Sequence, residues 1–170
     1  MGRSWIRRDH QQGFLGLYLL WRGIGEFVLR NPHYHTLYGT VSLSTLYHPF
    51  SLALMIRSLL TGTAGVEPIS SYSPALPAEV ELYLQKYPLS VEELAELVGS
   101  IEGNGTGIPV LVRHYLKVGA VLHSVALDRG FSDTPGVLLT VDLRSTSKRA
   151  LQMFLGEGYS SYLQQHGIGV

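Results

Sequence analysis

The stretch GRSWIRRDHQQGFLGLYLLWRGIGEFVLRNPHYHTLYGTVSLS, Gly2 to Ser44, decides the fold. Arg3-Ser4-Trp5-Ile6 alternates polar and apolar residues as a strand does, and the polar run Arg7 to Gly13 breaks the alternation, so a strand is expected to end near Ile6. Leu15, Tyr18, Leu19, Trp21, Gly25, Val28 and Leu29 then recur at three- and four-residue spacing, while Arg22, Glu26 and Arg30 fall largely between them, which is the period of an amphipathic helix. Asn31-Pro32 ends that helix, because the residue before a proline is pushed out of the helical region. Leu37 to Ser44 alternates again, with one apolar face and one hydroxyl-bearing face. The stretch reads as β-α-β, and its crossover predicts two parallel, adjacent strands.

In such a unit the helix N-terminus points towards the end of the first strand, where unpaired N–H groups and the helix dipole favour an anion. That preference is about 0.3–1 kcal/mol at an exposed end, too little alone, so Arg7, Arg8 and Gln12 become candidate helpers. The run Gly2 to Ile6, together with Leu19-Leu20-Trp21-Arg22-Gly23-Ile24, Asn31 to Tyr34 and Leu37 to Ser44, resembles the GNAT-fold lipid acyltransferases. These include the ornithine-lipid N-acyltransferases and the proteins called putative hemolysins. The resemblance continues through Gly107 to Gly119 and Val141-Asp142-Leu143.

The resemblance implies an α/β, GNAT-like mixed sheet with flanking helices, of which this chain carries the C-terminal part. A complete domain has three strands and two helices before the strand at Gly2, so the exposed edge of that strand is expected to be covered by an N-terminal half lost to a late start codon or a truncated gene, by a partner chain, or by a second copy of this one. A GNAT acyl-donor loop reads Gln or Arg-x-x-Gly-x-Gly or Ala, and the nearest frame here, His10-x-x-Gly13-x-Leu15, puts a branched side chain where the coenzyme A phosphates would approach closely. The implied donor is therefore acyl carrier protein rather than acyl-CoA, with Trp5, Arg7, Arg8, Gln12 and Gly13 at the phosphopantetheine arm. Arg3-Ser4 looks like the end of the Glu-x-x-Arg strand of these enzymes and of homoserine-lactone synthases, so Arg3 and Ser4 are the implied catalytic positions. The pattern's glutamate would stand one residue before Met1. Ser42 and Ser44 are the implied substrate-binding positions.

Composition narrows the rest. With 170 residues, 45% of them hydrophobic, one domain with one sizeable core is expected. Thirteen basic residues balance thirteen acidic ones, which argues against a nucleic-acid binder that depends on a broad cationic surface. Residues 1–30 nevertheless hold five arginines against Asp9 and Glu26, a net charge of +3. The absence of cysteine excludes disulfides, a thiolate nucleophile and a Cys-based zinc site. No apolar run approaches the roughly 20 residues of a spanning helix. The resemblance implies a cytoplasmic protein, or one peripheral to the inner membrane face.

Further along, Pro49 to Leu60 predicts a buried helix stopping at Gly62, and Thr61 to Pro77 a loop. Residues 78–102 read as a helical insertion, with a short helix at Glu79–Gln85 and a second opened by the capping-box signature Ser90-x-x-Glu93 and running to about Ile101. Pro109 suits the start of a helix over Val110 to Val118, with Gly119 as its stop. Strands are expected at Ala120–Leu127 and Val137–Leu143, joined antiparallel through a long loop, before a helix at Ser147–Leu155 and a frayed one at Tyr159–Gln164.

His123-x-x-x-x-Asp128 spells the glycerophosphate acyltransferase signature, but residues five apart on a strand face opposite ways, so the pair is read as a chance match. His33-x-His35 lacks a third ligand at the same spacing, and no metal is expected. Two function classes remain: an N-acyltransferase moving a fatty acyl group from acyl carrier protein to an amine of an amino-acid lipid precursor, and a non-catalytic, truncated or hemolysin-like module that binds an acyl group or a partner.

Overall fold

The computed structural model describes residues 6–10, 14–62, 68–103 and 105–167. Chain contacts divide it into two compact units, residues 1–39 with 141–170 and residues 40–140. The class is mixed α/β: helices flank a three-stranded antiparallel sheet, of strand order β1-β3-β2, made of β1 (Thr36–Ser42), β2 (Val121–Asp128) and β3 (Thr134–Asp142). Leu43 N donates to Pro135 O at 2.8 Å and Leu143 N to His35 O at 2.8 Å, a register that only antiparallel β1 and β3 give. The expected first strand falls mainly on Arg3 to Trp5, outside the described residues, so its parallel pairing with β1 does too. Ile6 is described and is not in a strand.

In the first unit a 3-10 turn at Arg8–His10 precedes α1 (Phe14–Arg30), which ends where the sequence placed the stop: Asn31 N and Nδ2 both bond to Phe27 O. The inner face of α1, Trp21, Ile24 and Val28, is buried, and it packs on α6 (Lys148–Leu155) with Trp21 stacked on Phe154 at 4.8 Å. Gly25 lets the two backbones meet; a Cβ there would lie 2.3 Å from Phe154 O. Ser147 caps α6 by accepting from Ala150 N. A 3-10 turn at Gly156–Gly158 leads into α7 (Tyr159–Gln165), which is held down by fully buried Tyr162 and by Leu163 rather than frayed.

In the second unit α2 (Pro49–Leu59) is buried from Ser51 to Ile56, as its dense apolar run requires, and it packs on α4 (Val91–Glu102). His48 caps α2 by accepting from Phe50 N, while its own N–H donates to Glu102 Oε1 at 2.9 Å. Tyr47 Oη donates to Gly107 O at 2.7 Å, and burial first, then the nearby Glu102 charge, raises its ionisation above the usual phenol value. The insertion contains α3 (Ala78–Lys86) and α4, whose capping box forms in full: Ser90 Oγ accepts from Glu93 N and Glu93 accepts from Ser90 N. The helix α5 (Val110–Lys117) follows Pro109.

The hairpin differs from its sequence reading. Pairing begins at Asp128–Thr134, so the connection is only residues 129–133 and β3 starts before the Val137 expected. Pro135-Gly136 looks like a turn in sequence, yet Pro135 sits in the strand, where its carbonyl accepts from Leu43 N and the N–H it lacks is not required. The reversal is made instead by Asp128 Oδ1 accepting from Gly130 N and by left-handed backbone at Ser132 and Asp133.

Candidate functional site

The basic turn before α1 is the described part of the implied donor site. Arg7 is committed locally: its Nε and Nη2 donate to the two Asp9 carboxylate oxygens at 2.7 and 2.6 Å, and Nη2 lies 3.0 Å from His10 Nε2. Arg8 is exposed and makes no ion pair among the described residues. No acidic residue occupies the first turn of α1. Arg3, Ser4, Trp5, Gln12 and Gly13 lie outside the described residues.

Ser42 and Ser44 belong to the second unit and both are exposed. Ser44 is occupied by its own loop, its Oγ accepting from Leu46 N at 3.2 Å and its carbonyl from Tyr47 N. Ser42 closes β1 on its exposed face. Of the implied positions that are described, Arg7 and Arg8 fall in one unit and the two serines in the other.

A polar cluster at the other end of β3 was not legible as a cluster. Asp142 accepts from Arg144 N and Nε at 3.0 Å through Oδ1 and from Nη2 at 2.7 Å through Oδ2, and His35 Nδ1 stands 3.9 Å from Oδ1. The Arg144 hydrogen bonds hold the Asp142 carboxyl below the usual carboxylate range. The His166 ring lies 6.4 Å from His35 and 4.3 Å from Tyr162. Tyr162 Oη and His166 Nε2 are buried without a hydrogen-bond partner, and burial pushes the phenol up. Asp142 and Arg144 adjoin in sequence, but His35 and His166 reach them from 107 and 24 positions away, which no local pattern encodes.

Three aspartates are engaged locally: Asp9 by Arg7, Asp128 by Gly130 N, Asp142 by Arg144. His123 and Asp128 do not cooperate. His123 sits where the β2–β3 register shifts, its Nε2 2.7 Å from Thr140 Oγ1, while Asp128 serves the turn. His33 packs on Tyr34 at 4.0 Å, and among the described residues no group of three His, Asp or Glu side chains is placed to hold a metal ion. Among the same residues no helix is long and apolar enough to cross a membrane. A groove of 720 Å³ runs between α1 and the α6 end, walled by Tyr18, Arg22, Glu26, Gln152, Gly156 and Glu157 among others. Arg22 Nη1 donates across it to Phe154 O at 3.2 Å. No family model, no curated protein and no solved structure matches this chain.

Proposed function

We propose that the chain is part of a GNAT-like lipid N-acyltransferase that takes a fatty acyl group from acyl carrier protein and gives it to an amine of an amino-acid lipid precursor, at the cytoplasmic face of a membrane. The reading rests on the resemblance of residues 2–44, 107–119 and 141–143, and is supported by one observation: a basic 3-10 turn precedes the 17-residue helix α1 in the chain, with Arg8 in no ion pair among the described residues. A helix start and a guanidinium each favour a phosphodiester. Arg7, neutralised by Asp9, contributes less than the sequence alone suggested.

Amide formation also needs a group to accept the amine proton, a contribution of about 100- to 10,000-fold. Asp9 and Asp128 accept local hydrogen bonds, and the Arg144 hydrogen bonds hold the Asp142 carboxyl below the usual carboxylate range. That observation favours a second reading, a module that binds the acyl-carrier arm without turnover. The test is a pair of measurements on the purified chain: affinity for acyl carrier protein, and transfer of a radiolabelled acyl group to a lysolipid amine. Turnover that Arg8→Ala reduces supports the transferase. Salt-sensitive binding, weakened by Arg8→Ala and accompanied by no turnover, supports the module. Neither binding nor transfer overturns both.

A further inference from the structure

We infer that the outer side of α1 is a self-association surface, on which a second copy of this chain seats its own α1 antiparallel, crossing at Gly23. The side of α1 turned away from α6 carries Leu15, Leu19, Gly23 and Phe27, one every four residues, which is the spacing of a single ridge along a helix. Leu15 is 66% exposed, Leu19 57% and Phe27 52%, whereas Trp21, Ile24 and Val28 on the inner side are buried. Phe27 stacks on Tyr34 with ring centroids 5.9 Å apart, and Tyr34 is itself exposed, so the apolar strip continues past the end of the helix. Single apolar side chains scattered over a surface need no explanation, but a row of them on a helix that already buries its other side does. All of these residues belong to the first unit, and the inference does not rest on the acyl-transfer reading.

Gly23 and its neighbours set the occupant. A glycine in the middle of a helix costs stability relative to alanine, and nothing lies within 4 Å of the place a Cβ would take at Gly23. Gly25 is explained by the contact with α6; Gly23 is explained by a backbone that approaches from outside. Leu19 and Phe27 stand four residues before and after it. In an antiparallel pair crossing at Gly23, positions equidistant from it on opposite sides lie level, so Phe27 meets the partner's Leu19 and Leu19 meets the partner's Phe27. The charges beside the strip follow the same symmetry. Glu26 comes within two residues, about 3 Å along the axis, of the level of the partner's Arg22. Glu26 is exposed and paired with Arg30 at 2.8 Å, and Arg22 is in no ion pair among the described residues, so each can take the other's counterpart without losing a buried partner. An unrelated protein has no need of a face that reads alike from both ends, and a twofold dimer does. The 17 residues of α1 make a strip about 26 Å long and about 10 Å wide, small against the ~800 Å² per partner of a standard interface, which sets a weak, concentration-dependent dimer.

The experiment is sedimentation velocity on the full chain from about 1 to about 500 μM, a range that brackets a micromolar Kd. The expected result is a shift from monomer to dimer across that range. Phe27→Ser and Leu19→Ser are each expected to weaken the dimer about tenfold or more, since each removes two contacts per dimer. Gly23→Ala is expected to melt higher than the parent when dilute and monomeric, yet to dimerise several-fold more weakly, a split that a purely structural glycine does not produce. The chain has no cysteine, so Gly23→Cys supplies its only thiol. With packed helix axes ~8–10 Å apart and Cα atoms ~2.3 Å from each axis, facing Cα atoms at the crossing are about 5 Å apart, a gap that a disulfide spans. Mild oxidation should therefore cross-link Gly23→Cys far faster than Leu46→Cys, an exposed position away from α1, and a mixture of Leu19→Cys with Phe27→Cys faster than either alone. A monomer at every concentration, whether or not lipid vesicles take up the chain instead, a dimer that Phe27→Ser and Leu19→Ser leave intact, or equal cross-linking of Gly23→Cys and Leu46→Cys would overturn the assignment.

Discussion

Two glycines of α1, two residues apart, should respond oppositely to the same substitution. Gly23 faces open space, so Gly23→Ala gains the helix preference of alanine, about 0.5–1 kcal/mol, and raises stability. Gly25 faces the Phe154 carbonyl, which is backbone and cannot swing away, so the same small gain is outweighed by overpacking of about 1–3 kcal/mol. Denaturant melts of the two variants check the signs. Asp142 makes a second prediction at this scale. Its carboxyl is depressed in the folded protein, chiefly by the Arg144 hydrogen bonds, so its contribution is present above the unfolded value near 4 and disappears as pH falls through the lower folded value. Asp142→Asn should flatten the fall of Tm between about pH 4 and pH 2, and an unchanged acid slope would show that the pair does not matter. The site was legible only in part at this scale. Arg7 and Arg8 look equivalent in sequence, and a two-residue reach to Asp9 within a 3-10 turn makes one an internal partner and leaves the other free.

Helix ends were legible because their chemistry is local. Asn31-Pro32 stops α1, Ser90 and Glu93 start α4, and Gly103 ends it with a φ of 69° that other residues adopt rarely. Ser90→Ala should therefore lower stability by about 0.5–2 kcal/mol, measurable in a thermal melt, with the loss of amide protection concentrated at the start of α4. Strand ends were less legible because pairing partners decide them. Pro135-Gly136 has turn composition, but the carbonyl of Pro135 is what Leu43 requires and Leu127 lies opposite, so the residues are drawn into β3. Likewise α7 is short and looked frayed, yet Tyr162 is fully buried, a consequence of side chains distant in sequence.

The chain passes between its two compact units inside strands: the divisions at residues 39/40 and 140/141 fall within β1 and β3. A fragment of residues 40–140 would keep only Thr40 to Ser42 of β1 and would lose the buried Val141 from β3. It should fail to unfold cooperatively, with poor amide dispersion, although it holds α2, α4 and the whole of β2; a sharp melt of that fragment would refute this. The other side of the sheet carries a further consequence. Along the outer edge of β2, Thr61 N and Gly62 N donate to Leu122 O, Tyr72 N donates to Val125 O, and Leu127 N donates to Ser70 O, so short bridges at Leu60 and Ser71 occupy that edge. An ordered fibril grows by adding strands at both margins of a sheet. With Leu122, Val125 and Leu127 already bonded to the chain's own loop, that margin of the sheet is blunted against pairing with a strand of another molecule.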